Sequence, residues 1–130
     1  MVNGNASLTA RMYNRFRPHK EGEIPMRMLL RVSIPVEAGN AAAKAGTLGS
    51  TIERILSTLK PEASYFFADD NGNRGGAVIF DMTDSSQVPA VAEPWFLAFN
   101  AHIKLQPVMT PQDLAKAGPS IAAAAKEYGK

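Results

Sequence analysis

The chain has 130 residues, 45% of them hydrophobic, no cysteine and a formal charge of +2. That length carries one core and is short for two ordinary domains, while the missing cysteines exclude disulfides, thiolate nucleophiles and cysteine-based metal centres. The charge is local: the first 25 residues hold four basic and two acidic side chains, and residues 26–130 hold ten of each. A neutral body lacks the basic face that nucleic acid requires. The longest apolar runs, such as Ala77 to Phe80, fall far short of the about 20 residues that cross a bilayer, so no membrane span is expected and a cytoplasmic location is the default.

Residues 1–25 read as a basic N-terminal arm. Leu8, Met12 and Phe16 recur every four positions beside Arg11 and Arg15, the spacing of a short amphipathic helix. An arm that packs on its own or a neighbouring subunit is the first reading. A dispensable extension with Met26 as the natural start is the second, and an Arg-rich, acid-poor targeting peptide the third.

The body is expected over residues 26–110. From Arg27 to Ile34 the side chains of Met28, Leu30, Val32 and Ile34 alternate with Arg27, Leu29, Arg31 and Ser33, the period of a strand with one apolar face. From Ala38 to Leu59 the residues Ala41, Ala45, Leu48, Ile52, Ile55, Leu56 and Leu59 fall at spacings of three and four, which predicts one long helix, weakened at Gly46 and Gly49 and stopped by Lys60-Pro61. Tyr65-Phe66-Phe67 and Ala77 to Phe80 read as two strands joined by a hairpin through Asp69-Asp70-Asn71-Gly72-Asn73. That acidic turn lacks the bidentate Glu of a calcium loop, so no metal is expected there.

Val88, Val91, Ala92, Trp95, Phe96 and Phe99 mark the core side of a second helix, capped by Ser85 or Ser86. Pro94 lies inside it and predicts a bend near Ala90, beside Glu93. Ala101 to Val108 reads as the last strand, with His102, Lys104 and Gln106 on the face opposite Ile103 and Leu105. Residues 111–130 form a helical tail: Thr110-Pro111-Gln112-Asp113 is a helix start, Gly118-Pro119 divides the segment, and Ile121, Ala125 and Tyr128 share one side of its second piece.

The order βαββαβ predicts an α+β, ferredoxin-like fold: a four-stranded antiparallel sheet of order 4-1-3-2 with the helices on one face. The other face is left bare, with Arg27, Leu29 and Arg31 on the first strand, Ala77, Ile79 and Asp81 on the third, and His102, Lys104 and Gln106 on the fourth. A cross-strand pair of Arg31 with Asp81 is expected. Exposed Leu29 and Ile79 are best covered by the same face of a second copy, which predicts a homodimer through the open sheet face.

The runs Tyr65-Phe66-Phe67-Ala68-Asp69, Arg74-Gly75-Gly76, Ala92-Glu93-Pro94-Trp95-Phe96 and Pro107-Val108-Met109-Thr110-Pro111 resemble a group of uncharacterised bacterial proteins in the dimeric α+β-barrel, ferredoxin-like superfamily. The resemblance covers residues 26 to about 118 and implies the fold and the dimer. Other members of that superfamily include cofactor-independent monooxygenases, haem-degrading enzymes and muconolactone isomerases. The Asn, Trp and His of the haem-degrading members differ in order and placement from Trp95, Asn100 and His102, so that activity does not carry over.

Two histidines, His19 and His102, are too few for a multi-histidine metal site in one subunit. His102 and Glu93 are the candidate acid–base residues, each weighed against a plain structural or solvated role. Tyr65, Phe67, Trp95 and Phe96 are the candidate ligand-binding residues, weighed against core packing. Three functions follow: binding of a small apolar or aromatic molecule between sheet and helices without a cofactor, cofactor-independent monooxygenase or isomerase chemistry in the same space, or non-catalytic dimeric assembly. Whether the chain is an enzyme stays open at this level.

Overall fold

The computed structural model describes residues 24–130. The basic arm expected over 1–25 falls on residues 1–23 almost entirely, outside those described.

Strand β1 (Met26–Ile34) is followed by helices α1 (Val36–Ala45) and α2 (Leu48–Leu59), strands β2 (Ala63–Ala68) and β3 (Arg74–Met82), helix α3 (Val88–Phe99), strand β4 (His102–Pro107), and helices α4 (Pro111–Lys116) and α5 (Gly118–Tyr128). The four strands form one antiparallel sheet of order β2-β3-β1-β4, with β1 and β3 in the middle. This is a small α+β fold with the expected strand order.

Alternation along the strands decides which face is buried. Met28, Leu30, Val32 and Ile34 from β1, with Val78, Phe80 and Met82 from β3, are buried together with Leu59 of α2 and Val91, Trp95 and Phe99 of α3. Ile103 and Leu105 of β4 extend the same layer. Burying a Leu, Val or Phe side chain stabilises a fold by about 1.5–3 kcal/mol, so this apolar face fixes the register: a slip of one residue would expose it.

The long helix expected from Ala38 to Leu59 is two helices. Gly46 adopts φ 75° and closes α1, its N–H donating to the Ala43 carbonyl at 3.0 Å while Thr47 N–H reaches Ala42 O at 2.9 Å. This left-handed closure is the ordinary end of a helix at glycine. Breaking the helix resets its phase, so Ala42, rather than the expected Ala41 and Ala45, packs against the core. Gly49 lies within α2, where it interrupts nothing.

The start of α3 also differs. A short 3-10 turn, Ser85–Gln87, leads into it, and the cap is Asp84 rather than Ser85 or Ser86. Asp84 accepts from Ser86 N–H, and the buried Gln87 returns its Oε1 to the backbone N–H groups of Thr83 and Asp84 at 2.8 and 3.2 Å. The helix then runs without interruption through Pro94 to Phe99. Pro94 cannot donate to the Ala90 carbonyl, so the expected weak point exists chemically within a continuous helix.

Register corrects one expected ion pair. Arg31 stands opposite Ala77 on β3 and Lys104 on β4, whereas Asp81 stands opposite Arg27. Arg27 in turn donates from Nε to Glu62 Oε1 at 2.8 Å. The Arg31–Asp81 expectation placed the two residues two rows too close.

The tail begins as its sequence indicates. Thr110 and Asp113 cap each other reciprocally, with Thr110 Oγ1 accepting from Asp113 N–H at 3.1 Å and Asp113 Oδ2 accepting from Thr110 N–H at 3.0 Å. No residue of α4 or α5 is buried. Among the described residues no helix is long and apolar enough to cross a membrane.

Candidate functional site

Gly76 lies in the wall of a concavity. On the helix-facing side of the sheet it sits between Phe66 of β2 and Val32 of β1, to both of which it is paired in register. Where the neighbouring row carries Val78, this row has no side chain, and the Phe66 ring leans into the space: a Cβ at residue 76 would lie 3.0 Å from two of its atoms. The gap opens into a cleft of about 460 Å³ between the sheet and helices α2 and α3. Such a volume falls within the range of pockets that hold small organic molecules, about 300–1,000 Å³.

The walls are chiefly apolar: Val32 and Ile34 from β1, Leu48 and Ile52 from α2, Phe66 from β2 and Trp95 from α3. Trp95 is fully buried, stacks at a tilt against Phe99 with ring centroids 6.3 Å apart, and is the only tryptophan of the chain. Its indole N–H is shut off from water and has no hydrogen-bond partner among the described residues. A buried donor left unpaired costs about 1–3 kcal/mol, so this atom marks an unmet demand within the core.

The polar end of the cleft belongs to Asn73 and Arg74. Arg74 opens β3 in the same register as Val78 and Phe80, so it projects from the apolar side of the sheet. Its guanidinium donates from both Nη1 and Nη2 to Asn40 Oδ1 of α1, each at 3.1 Å. Gly39 makes that position accessible, because a Cβ there would stand 2.5 Å from Nη1. Among the described residues no acidic side chain lines the cleft.

The sequence-based ligand residues separate. Trp95 and Phe67 are both at the cleft, Phe67 only at its edge, because it shares with Tyr65 the register of the open face while Phe66 between them points to the helices. Tyr65 is 66% exposed on that open face, and Phe96 is 39% exposed on α3 outside the lining. The acid–base candidates are apart from the cleft as well: Glu93 is exposed on α3, and His102 is exposed at the start of β4. Phe66, Arg74 and Gly76 escaped the sequence reading because the third strand was expected to begin at Ala77. Extending the alternation of Val78 and Phe80 back by four residues would have put Arg74 and Gly76 on the core side.

A second polar group forms at one end of the open face. Ser33 Oγ donates to Asp69 Oδ2 at 2.6 Å, Asn73 Nδ2 donates to Ser33 Oγ at 3.3 Å, and Asp69 Oδ1 accepts from the N–H groups of Asn71 and Asn73 at 3.0 and 2.9 Å. The Ser33 hydroxyl, followed by the backbone donors, holds the Asp69 carboxyl below its ordinary pKa. His102 stands opposite Ser33 in register. The Asp69 Oδ1 contacts serve the hairpin, which Gly72 completes at φ 76° with its N–H on Asp69 O at 2.9 Å, while Oδ2 ties it to β1. Among the described residues, no group of three or more His, Asp or Glu side chains assembles that could hold a metal ion.

Comparison with protein families, with curated proteins and with solved structures finds no match to this chain. The function therefore rests on the cleft and on the two faces of the sheet.

Proposed function

We propose that the protein binds a small apolar or aromatic molecule in the cleft between its sheet and helices α2 and α3. The observation that carries this reading is the 460 Å³ space walled by Val32, Ile34, Leu48, Ile52, Phe66 and Trp95. A well-packed interior leaves few voids larger than a water molecule, and apolar surface that lines an open cleft gains from a ligand that removes it from water. Glu93 and His102 lie outside the lining, so the proposed role is binding rather than acid–base catalysis.

A thermal shift series with aromatic acids, quinols and lactones tests this. A ligand at ten times its Kd adds about 1.4 kcal/mol to stability, which raises the Tm of a domain of this size by several degrees. At least one compound is expected to do so in the wild type and to lose its effect in Ile52→Trp, whose larger side chain fills the cleft. A wild type unmoved by the whole panel overturns the reading.

A second reading concerns the open sheet face and has its own support. Leu29, Ala77, Ile79 and Tyr65 make an apolar band across β1, β3 and β2, and the same face carries Arg31, Lys104 and Asp81. A two-fold interface brings one patch against itself and needs apolar area with charges of both signs. We propose a second copy of the chain as the occupant, giving a homodimer of stacked sheets in the manner of the dimeric α+β barrels.

A further inference from the structure

The polar mouth of the cleft narrows the ligand class, and this step rests on the binding role proposed above. We infer that the guest is an organic anion: an apolar or aromatic carboxylic acid whose carboxylate is held by Arg74 while its hydrocarbon part occupies the cleft.

Three observations converge on Arg74. Among the described residues it is the only charged side chain in the lining, which contains no acid. It makes no ion pair among the described residues, its contacts being the two bonds to Asn40 Oδ1. A guanidinium has five N–H donors, so most of its capacity remains unused while its orientation is already set. Finally, Gly39 and Asn40 on α1 hold the side chain down: only a residue without Cβ lets Nη1, Cδ and Cζ lie so close to the helix.

Arg74 is exposed at the cleft mouth, and its bonds to Asn40 pin the guanidinium there instead of leaving it in free rotation. A planar fork fixed by a neutral acceptor retains its full positive charge, and it matches a carboxylate through two parallel hydrogen bonds. An acidic anchor in place of Asn40 would have cancelled that charge. The Arg74 guanidinium then forms the polar end, and Phe66, Ile52 and Trp95 the apolar interior, which is the division that a short aromatic or branched aliphatic acid carries in its own structure.

The test uses the full chain and matched probes, phenylacetate against phenylacetamide, followed by calorimetry and by the emission of Trp95, the sole tryptophan. The expected result is at least a tenfold preference of the wild type for phenylacetate, reduced as ionic strength rises. Arg74→Gln should abolish the preference, bringing the phenylacetate Kd to within about twofold of the phenylacetamide Kd. Gly39→Ala, which keeps the arginine but displaces it, should weaken phenylacetate selectively, with circular dichroism verifying that both variants fold. Equal affinity for acid and amide in the wild type overturns the anion assignment and leaves the cleft intact as a binding site. Binding of neither probe, together with no response to the wider compound series, removes the binding role and this inference with it.

Discussion

Asp69 carries out two tasks with one carboxylate: Oδ1 closes the hairpin through the backbone of Asn71 and Asn73, and Oδ2 accepts the Ser33 hydroxyl from the neighbouring central strand. Folding lowers its pKa below the ordinary 3.8. The unfolded chain thus binds the proton more readily, and the stabilisation is complete above the ordinary carboxylate value and is lost as pH falls through the lowered one. We expect the Tm difference between the wild type and Asp69→Asn to be constant from pH 7 to 5 and to shrink between about pH 4 and 2, measured by thermal melts across that range. Asp113 titrates in the same direction through its own cap with Thr110, so the comparison with the variant, rather than the wild-type curve alone, isolates Asp69. The sequence made the turn legible, since Asp, Asn and Gly have the short polar or absent side chains that tight turns require. It did not reveal Ser33 as the partner, because that contact depends on a register between strands far apart in the chain.

At the scale of elements, alternation disclosed the first and last strands and short apolar runs the two between, while their ends shifted by up to three residues. The helices were less legible. Gly46 and Gly49 look equivalent in the sequence, yet the first ends α1 in the left-handed region and the second lies in the first turn of α2 with open space around it. Opposite responses to the same substitution follow. Gly46→Ala should destabilise the protein by about 1 kcal/mol, since an L side chain is strained at that φ. Gly49→Ala should stabilise it by about 0.4–1 kcal/mol by restricting the unfolded chain without meeting any neighbour. Urea denaturation of the two variants, with the m-value held as a check on two-state behaviour, measures both signs in one experiment. Helix α5 is a further lesson at this scale. Its Ile121, Ala125 and Tyr128 share a side as the spacing indicates, yet none is buried within the chain. An amphipathic pattern specifies that a helix has an apolar side and is silent about what lies against it.

For the whole molecule, strand order was within reach of the sequence because few topologies satisfy short connections and right-handed crossovers. The cleft was only half visible. Trp95 and Phe67 stood out as large aromatics, whereas the gap itself arises from an absent side chain at Gly76 and from the fold of Arg74 over Gly39, neither of which leaves an apolar signature. The proposed pairing of copies belongs to this scale. Leu29 and Ile79 face each other in register at the centre of the open face, so a charge placed there would be buried unpaired in a stacked dimer, a situation that commonly costs several kcal/mol. Light scattering should give twice the chain mass for the wild type and the single mass for Ile79→Glu. A wild type of single mass at tens of micromolar removes the pairing.

The two outer strands of the sheet are unlike, and the difference has a direction. β4 presents Lys104 on its exposed side and ends at Pro107, which has no N–H to offer. β2, Ala63–Ala68, contains neither a charge nor a proline, and half of it is the aromatic run Tyr65-Phe66-Phe67. Its outward backbone groups form a template for an incoming extended peptide, guarded on one flank of the molecule and unguarded on the other. Foreign strands, tags or denatured copies should therefore accrete at β2 and spare β4, and a single lysine introduced on that rim is the simplest safeguard for keeping concentrated solutions clear.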